Sequence, residues 1–77
     1  MEKQQHRSLA TVSAGEKVHI VEIQSGREMK SRLAAIGMLP NVEITVINNG
    51  HPGPFVVNVR NSRMVLGRGM ASRIFVK

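Results

Sequence analysis

The sequence contains no cysteine, tryptophan, tyrosine or aspartate, and its only aromatic side chains are Phe55 and Phe75. A secreted domain of this size ordinarily needs disulfides or a structural metal to supplement its small core, so the lack of cysteine favours the cytosol. Residues 1–8 are polar and charged without an apolar centre, unlike a signal peptide. No apolar run approaches the roughly 18–20 residues of a transmembrane helix. We therefore expect a cytosolic protein that does not insert into a membrane.

Short apolar segments with a period of two dominate the chain. Its 77 residues have room for one domain, in which nearly every large apolar side chain must serve the core. Valine and isoleucine prevail among these side chains, which favours strands. We predict five strands, at residues 18–23, 44–47, 55–60, 63–67 and 74–76. In the first strand the apolar pattern changes phase after Ile20, which predicts a β-bulge or a strand that curls.

One helix is predicted at residues 27–36. Its apolar stripe, spaced at i, i+4 and i+7, consists of Met29, Leu33 and Ile36. Ser25 is the predicted N-cap, with Glu28 in the position that completes a capping box. Gly37 is predicted to end the helix in the left-handed conformation, which costs glycine little.

Turn residues separate the predicted elements. Pro40-Asn41 suits a reversal, because proline presets φ and asparagine tolerates the left-handed region. Asn61-Ser62 is the predicted turn between the third and fourth strands, and residues 70–72 are predicted to form a single 3₁₀ turn. Closely spaced short strands in so small a chain favour a closed or half-open β-barrel. Residues 1–8 are predicted to be a disordered tail, so that the domain spans residues 9–77.

The positive charge is concentrated in the second half of the chain. The net charge is +6, yet residues 1–43 hold six basic and five acidic side chains and contribute only +1. Residues 44–77 contain five basic side chains and no acidic one, namely Arg60, Arg63, Arg68, Arg73 and Lys77. Such a half either attracts an anionic partner or serves as a solvated basic surface.

Motifs for catalysis and nucleotide binding are missing from the sequence. Gly50-x-x-Gly53 and Gly67-x-Gly69 lack the Lys-Ser/Thr that completes a phosphate-binding loop. Nucleophilic catalysis needs a serine or cysteine beside a base and an orienting acid, and the histidines here are scattered. We expect no enzymatic activity and no cofactor.

The histidines show no spacing typical of a metal site. His6, His19 and His51 lie in the tail, the first strand and a loop. Glu22 is three residues from His19, which places the two on opposite faces of a strand. The methionines have the spacing of core side chains. We expect no metal site.

Nucleic-acid binding is the main alternative that the charge leaves open. Proteins that bind single-stranded RNA stack bases on exposed aromatic rings. Only Phe75 is available for this, on the face opposite Ile74 and Val76. The same shortage of aromatic residues argues against a groove for proline-rich peptides. We therefore expect an acidic protein partner, with a small basic RNA-binding barrel as the alternative function.

Three motifs stand in order along residues 9–77. They are Leu9-x-x-Val12-x-x-Gly15, the segment RLAAIGMLPN at residues 32–41, and Ala71-x-x-Ile74-x-Val76. In this order they resemble the ferrous iron transport protein A (FeoA) family, small SH3-like domains that accompany the ferrous iron permease. Asn41 stands where that family has glycine, a substitution that the turn geometry accepts.

The resemblance implies an SH3-like β-barrel of about five strands with one short helix. It also implies a cytoplasmic, non-enzymatic accessory that supports ferrous iron uptake by binding the cytoplasmic part of the permease, which binds GTP.

A similar domain forms the C-terminal part of metalloregulators of the diphtheria-toxin-repressor type. No DNA-binding helix-turn-helix precedes it in this sequence, so we do not expect that role. The sequence leaves weak self-association open.

A partner-binding surface is predicted directly after the helix. If Met38 packs on the last helical turn, Leu39 is turned outward at the proline turn, where an exposed leucine can anchor an interface. The alternative is that Leu39 covers one end of the barrel. The candidate contact residues are these two and four arginines, Arg32, Arg60, Arg63 and Arg68.

Overall fold

The computed structural model describes residues 6–50 and 53–77 of the chain. A 3₁₀ turn at Leu9–Thr11 precedes the larger elements. The strands are β1 (Arg7–Ser8), β2 (Lys17–Ile23), β3 (Glu43–Asn49), β4 (Phe55–Val59), β5 (Ser62–Leu66) and β6 (Ile74–Val76). The helices are α1 (Arg27–Ala35) and the single-turn α2 (Arg68–Ala71).

The six strands form one antiparallel sheet in the order β1-β6-β2-β3-β4-β5. Strand β2 belongs to both halves of it, because residues 17–19 pair with β3 and residues 20–23 pair with β6. The register against β6 shifts between Ile20 and Glu22, which confirms the bulge predicted from the phase change. A bulge increases the bend of a strand, so β2 folds the sheet over on itself. The expected SH3-like barrel with one short helix, α1, is confirmed; β1 is a sixth strand and α2 adds a single helical turn.

The core is built mainly from aliphatic side chains of strands β2 to β6 and of α1, together with Phe55 of β4. Among the described residues no polar or charged side chain is buried. Leu33 of the predicted helical stripe is fully packed and Met29 is half-buried, but Ile36 is 48% exposed. The expectation that Ile36 completes the stripe is therefore wrong. Its backbone leaves the helical conformation, with φ −101° and ψ 12°, which turns its side chain away from the core.

Helix α1 begins without a side-chain cap. Gly26 occupies the N-cap position, so the prediction that Ser25 and Glu28 form a capping box is wrong. The Ser25 hydroxyl instead lies 2.8 Å from the Met29 sulfur. Glycine is accepted at an N-cap because its backbone adopts the extended conformation freely.

Helix α1 ends in a Schellman motif. Gly37 has φ +94° and donates its N–H to the Ala34 carbonyl at 3.0 Å, and the Met38 N–H donates to the Leu33 carbonyl at 2.9 Å. Leu33 and Met38 are each 1% exposed, which gives the motif its usual apolar contact. The predicted left-handed glycine is confirmed.

Two turns differ from their predictions by small shifts. The β4–β5 turn is Arg60-Asn61 and not Asn61-Ser62, with φ of 51° and 65° at its two central residues. Positive φ at both positions is typical of a type I′ hairpin turn, and arginine gives no sequence signal for it. At α2, the Ala71 N–H donates to the Gly67 carbonyl at 2.9 Å, so an α-helical turn replaces the predicted 3₁₀ turn at residues 70–72.

Residues 1–8 are predicted to be a disordered tail, but Arg7 and Ser8 form strand β1. Arg7 and Ser8 pair with Val76 and Phe75, while residues 1–5 of the expected tail lie outside the described residues. The Arg7 guanidinium lies 2.7 Å from the Glu16 carboxylate. This hydrogen bond, together with one from the Ser13 N–H, holds the pKa of Glu16 below its ordinary value. A polar two-residue strand held by a charge pair has no apolar pattern that could reveal it.

Candidate partner-binding site

Two consecutive turns after α1 fix the position of Leu39. The Schellman motif is followed by a β-turn in which the Val42 N–H donates to the Leu39 carbonyl at 3.1 Å. Asn41 has φ 73°, which defines a type II turn with proline in its second position. The Asn41 N–H donates to the Ile20 carbonyl at 2.7 Å and so ties the turn to β2. Leu39 is 42% exposed on this rigid corner, so its predicted outward position is confirmed.

An apolar groove of about 400 Å³ lies beside Leu39. It is lined by α1 (Lys30, Ala34), β2 (Val21, Glu22, Ile23) and the corner (Met38, Leu39, Pro40). Met38 is 1% exposed and therefore supports the groove from below, although the sequence suggested it as a contact residue. The groove could not be predicted from the sequence, because it depends on how α1, β2 and the corner pack against one another.

Arg60 places a positive charge at the C-terminal end of α1. Its Cδ atom lies 3.7 Å from the position that a Cβ atom would occupy on Gly37. Carbonyl groups at a helix C-terminus carry partial negative charge and attract a guanidinium. Arg60 is exposed and makes no ion pair with any described residue, so its charge is available beside the corner.

A polar concavity of about 480 Å³ extends from Arg60 across the outer face of β3 and β4. Asn41, Thr45, Asn58 and Asn61 contribute polar groups to it. Lys17 also lines it, but this ammonium group already lies 3.3 Å from the Glu43 carboxylate. Arg63 stands opposite Asn58 in the β4–β5 register and continues the basic surface towards the sheet edge.

The remaining two candidate arginines lie elsewhere. Arg68 donates from Nη2 to the Asn49 carbonyl at 2.6 Å and so contacts the last residue of β3. Arg32 lies 3.9 Å from Glu28 on the exposed side of α1. Neither lines the groove or the polar concavity at the corner. The six candidates therefore divide into a group at the corner (Met38, Leu39 and Arg60), Arg63 beyond Asn58, and two arginines apart from them.

Groups that would indicate a metal site or an RNA-stacking surface are not assembled in the described part of the chain. No three histidine or glutamate side chains there lie close enough to hold a metal ion together. His19 lies 3.9 Å from Glu43, and His51 is outside the described residues. Phe55 is 3% exposed and Phe75 is half-buried, so neither ring is fully exposed for stacking. No described helix has the length and apolar character needed to cross a membrane.

Several solved structures share this fold. A crystal structure of the iron uptake regulatory protein FeoA superimposes with a TM-score of 0.84 at 27% identity, covering 96% of this chain and 97% of that one. A manganese-dependent transcriptional repressor gives a TM-score of 0.85 at 20% identity, with 99% of this chain matching 43% of the repressor. The repressor therefore shares the fold of this domain within a longer chain.

Sequence relatives identify the family. A protein of Methanocaldococcus jannaschii that carries the provisional name Fe(2+) transport protein A is 32% identical over 69 residues, which cover 90% of this chain and 83% of that one. The FeoA domain model matches residues 7–77, almost the extent expected from the three motifs. This chain belongs to the FeoA family.

Proposed function

We propose that this protein supports ferrous iron uptake by docking its Leu39 corner on the cytoplasmic, GTP-binding part of a ferrous iron permease. Membership of the FeoA family supports the transport role, as does the Fe(2+) transport name of the relative from Methanocaldococcus jannaschii. We infer a role through a partner, since the described residues hold no group of three histidine or glutamate side chains that could bind the iron directly.

The main support for the docking site is that Leu39 is exposed on a corner whose backbone is held by two hydrogen-bonded turns. Leu39 is 42% exposed between a left-handed glycine and a proline turn. A rigid apolar side chain loses little conformational entropy when it binds, so it suits the centre of an interface. The adjoining groove beside Met38 and Pro40 offers apolar surface to a side chain of the partner.

The charge around the corner sets the kind of partner. Arg60 lies beside Gly37, and Arg63 follows it across Asn58. Exposed positive charges on one side of an apolar anchor favour an acidic protein face and accelerate association with it. RNA binding, the alternative, finds no support among the relatives described above.

The test replaces Leu39 with aspartate in a strain that depends on this protein for ferrous iron uptake. We expect Leu39→Asp to abolish the uptake that the protein adds, because a charge buried unpaired in an interface costs several kcal/mol. Ile47→Asp is the matched control, since Ile47 is 40% exposed but lies on β3, and this variant should retain uptake.

Thermal unfolding of both variants separates docking from folding. If Leu39 only covers the barrel, Leu39→Asp should lower the melting temperature strongly and the docking site would be wrong. An unchanged melting temperature together with normal uptake would also refute the docking site. Normal ferrous iron uptake in a strain that lacks this protein would refute the transport role itself.

A further inference from the structure

Strand β5 ends the sheet, and among the strands of the described residues it pairs with β4 alone. The two strands are joined by a two-residue turn, and the pair Val59–Ser62 closes it. In an antiparallel ladder, pairs that exchange hydrogen bonds alternate with pairs that do not. Since the pair that closes a two-residue turn is hydrogen-bonded, the next such pairs on β5 fall at Met64 and Leu66. The backbone N–H and C=O groups of Arg63 and Val65 therefore face away from β4.

These outward groups are unpaired within the described residues. No backbone hydrogen bond connects Arg63 or Val65 to a turn, a loop or another strand on that side. Proteins usually protect such an edge with a bulge, proline or lysine, because free backbone groups accept a further strand. Strand β5 has a regular register along all five residues and carries one charge, on Arg63.

The side chains at this edge have a distinct chemistry. Val65 is 65% exposed and pairs with the half-buried Val56 of β4. These two valines form an apolar strip. Arg63 is exposed two residues away on the same face. The described glutamates do not neutralise it, because each lies against another group: Glu16 by Arg7, Glu22 by Gln24, Glu28 by Arg32 and Glu43 by Lys17.

We propose that the β5 edge, defined by Arg63 and Val65, binds an extended segment of a partner protein as an added strand. The segment places an acidic side chain opposite Arg63 and an apolar side chain opposite Val65, two residues apart on one face. Added strands gain affinity from backbone hydrogen bonds and specificity from alternate side chains. A second copy of this chain fits the edge poorly, because each copy has a net charge of +6 and would bring its own Arg63 to the contact.

This proposal does not rest on the role in iron uptake, and purified protein suffices to test it. Amide hydrogen exchange measured by NMR should first show fast exchange at Arg63 and Val65 and slow exchange at Met64 and Leu66. Slow exchange at Arg63 and Val65 in the free monomer would show that the edge is already occupied, and would overturn the proposal.

The binding probe is a capped synthetic peptide of sequence Thr-Glu-Thr-Val-Thr-Glu-Thr. Its titration should shift the amide signals of Arg63 and Val65 and slow their exchange. A peptide with lysine in place of both glutamates should bind about fivefold more weakly, the scale of one exposed charge pair. Arg63→Glu should reverse the preference between the two peptides. Equal binding of both peptides, or shifts confined to other surfaces, would contradict the proposal.

The backbone contribution is tested by Val65→Pro, with Val65→Thr as its matched control. Proline removes an N–H that faces solvent on an edge strand, a position where the fold can accept it. Val65→Pro should lose peptide binding and Val65→Thr should keep it. If the proline variant fails to fold, the acidic peptide with an N-methylated backbone replaces it as the test, because N-methylation removes the backbone N–H donors of the peptide instead. Binding that survives removal of these N–H groups would refute strand addition. Leu39→Asp should leave peptide binding unchanged, so the two proposed sites can fail separately.

Discussion

Gly37 controls both the end of α1 and the position of Leu39, so replacing it with alanine tests the link between fold and site. The backbone at Gly37 has φ +94°, a conformation that side chains with a Cβ atom rarely adopt. Space is not the obstacle, since the nearest atom to a Cβ at this position would be Arg60 Cδ at 3.7 Å. The expected cost therefore comes from the backbone alone.

That cost is about 1–2 kcal/mol, the penalty for a left-handed residue with a Cβ atom. A chain of 77 residues is expected to have a free energy of unfolding of about 4–12 kcal/mol. For a domain of this size, the loss corresponds to a melting temperature lower by roughly 4–16 °C. Because the Schellman motif positions Leu39, Gly37→Ala should also weaken association with the permease beyond its effect on stability.

Chemical denaturation and thermal unfolding of three variants measure the effect. Gly37→Asn should lose less stability than Gly37→Ala, since asparagine tolerates positive φ. Gly69→Ala should raise stability by up to about 1 kcal/mol, because Gly69 lies within α2 with nothing within 4 Å of a Cβ atom. A Gly37→Ala protein as stable as the wild type would refute the reasoning about the corner.

Leu33→Ala should lower the free energy of unfolding by about 2–5 kcal/mol, since Leu33 is 1% exposed beneath Met38; an unchanged denaturation midpoint would show that it is not a core residue. The hydrogen bond from Arg7 lowers the pKa of Glu16 in the folded state. The stability that this pair contributes is therefore present above the ordinary pKa of glutamate and is lost as the pH falls through the folded pKa. NMR titration should find that pKa lowered in the wild type and shifted back towards its ordinary value in Arg7→Gln. Association with the cytoplasmic part of the permease should weaken as the salt concentration rises, because exposed charges are screened beyond about 8–10 Å. An affinity independent of salt, or sub-micromolar binding of a random RNA oligomer, would contradict an acidic protein partner. The isolated protein should not bind GTP, since neither glycine pair is followed by the Lys-Ser/Thr of a phosphate-binding loop. Calorimetry that shows micromolar binding would contradict this.

The sequence was most informative where a local rule determines the backbone. Gly37 marked a left-handed helix end, and Pro40-Asn41 marked the turn that follows. The change of apolar phase after Ile20 marked the bulge in β2, because side chains alternate along a strand. From these signals alone, the outward position of Leu39 could be predicted.

Features that depend on how the elements pack against one another could not be predicted. The hairpin turn includes Arg60 in a left-handed conformation that the pairing of β4 with β5 imposes on it. Ser25 satisfied the pattern of an N-cap, yet the chain enters α1 one residue later, at Gly26. The groove beside Leu39 combines walls from α1 and β2, and the hydrogen bond of Arg68 joins the start of α2 to the end of β3.

Direct binding is the measurement that tests the proposed docking of Leu39 on the permease. Calorimetry would titrate the purified protein, its Leu39→Asp variant and the Ile47→Asp control into the cytoplasmic GTP-binding part of the permease from the same organism. We expect the wild type and the control to bind, and a folded Leu39→Asp protein to bind at least about tenfold more weakly. Equal affinity of all three proteins, or no binding by the wild type, would contradict it.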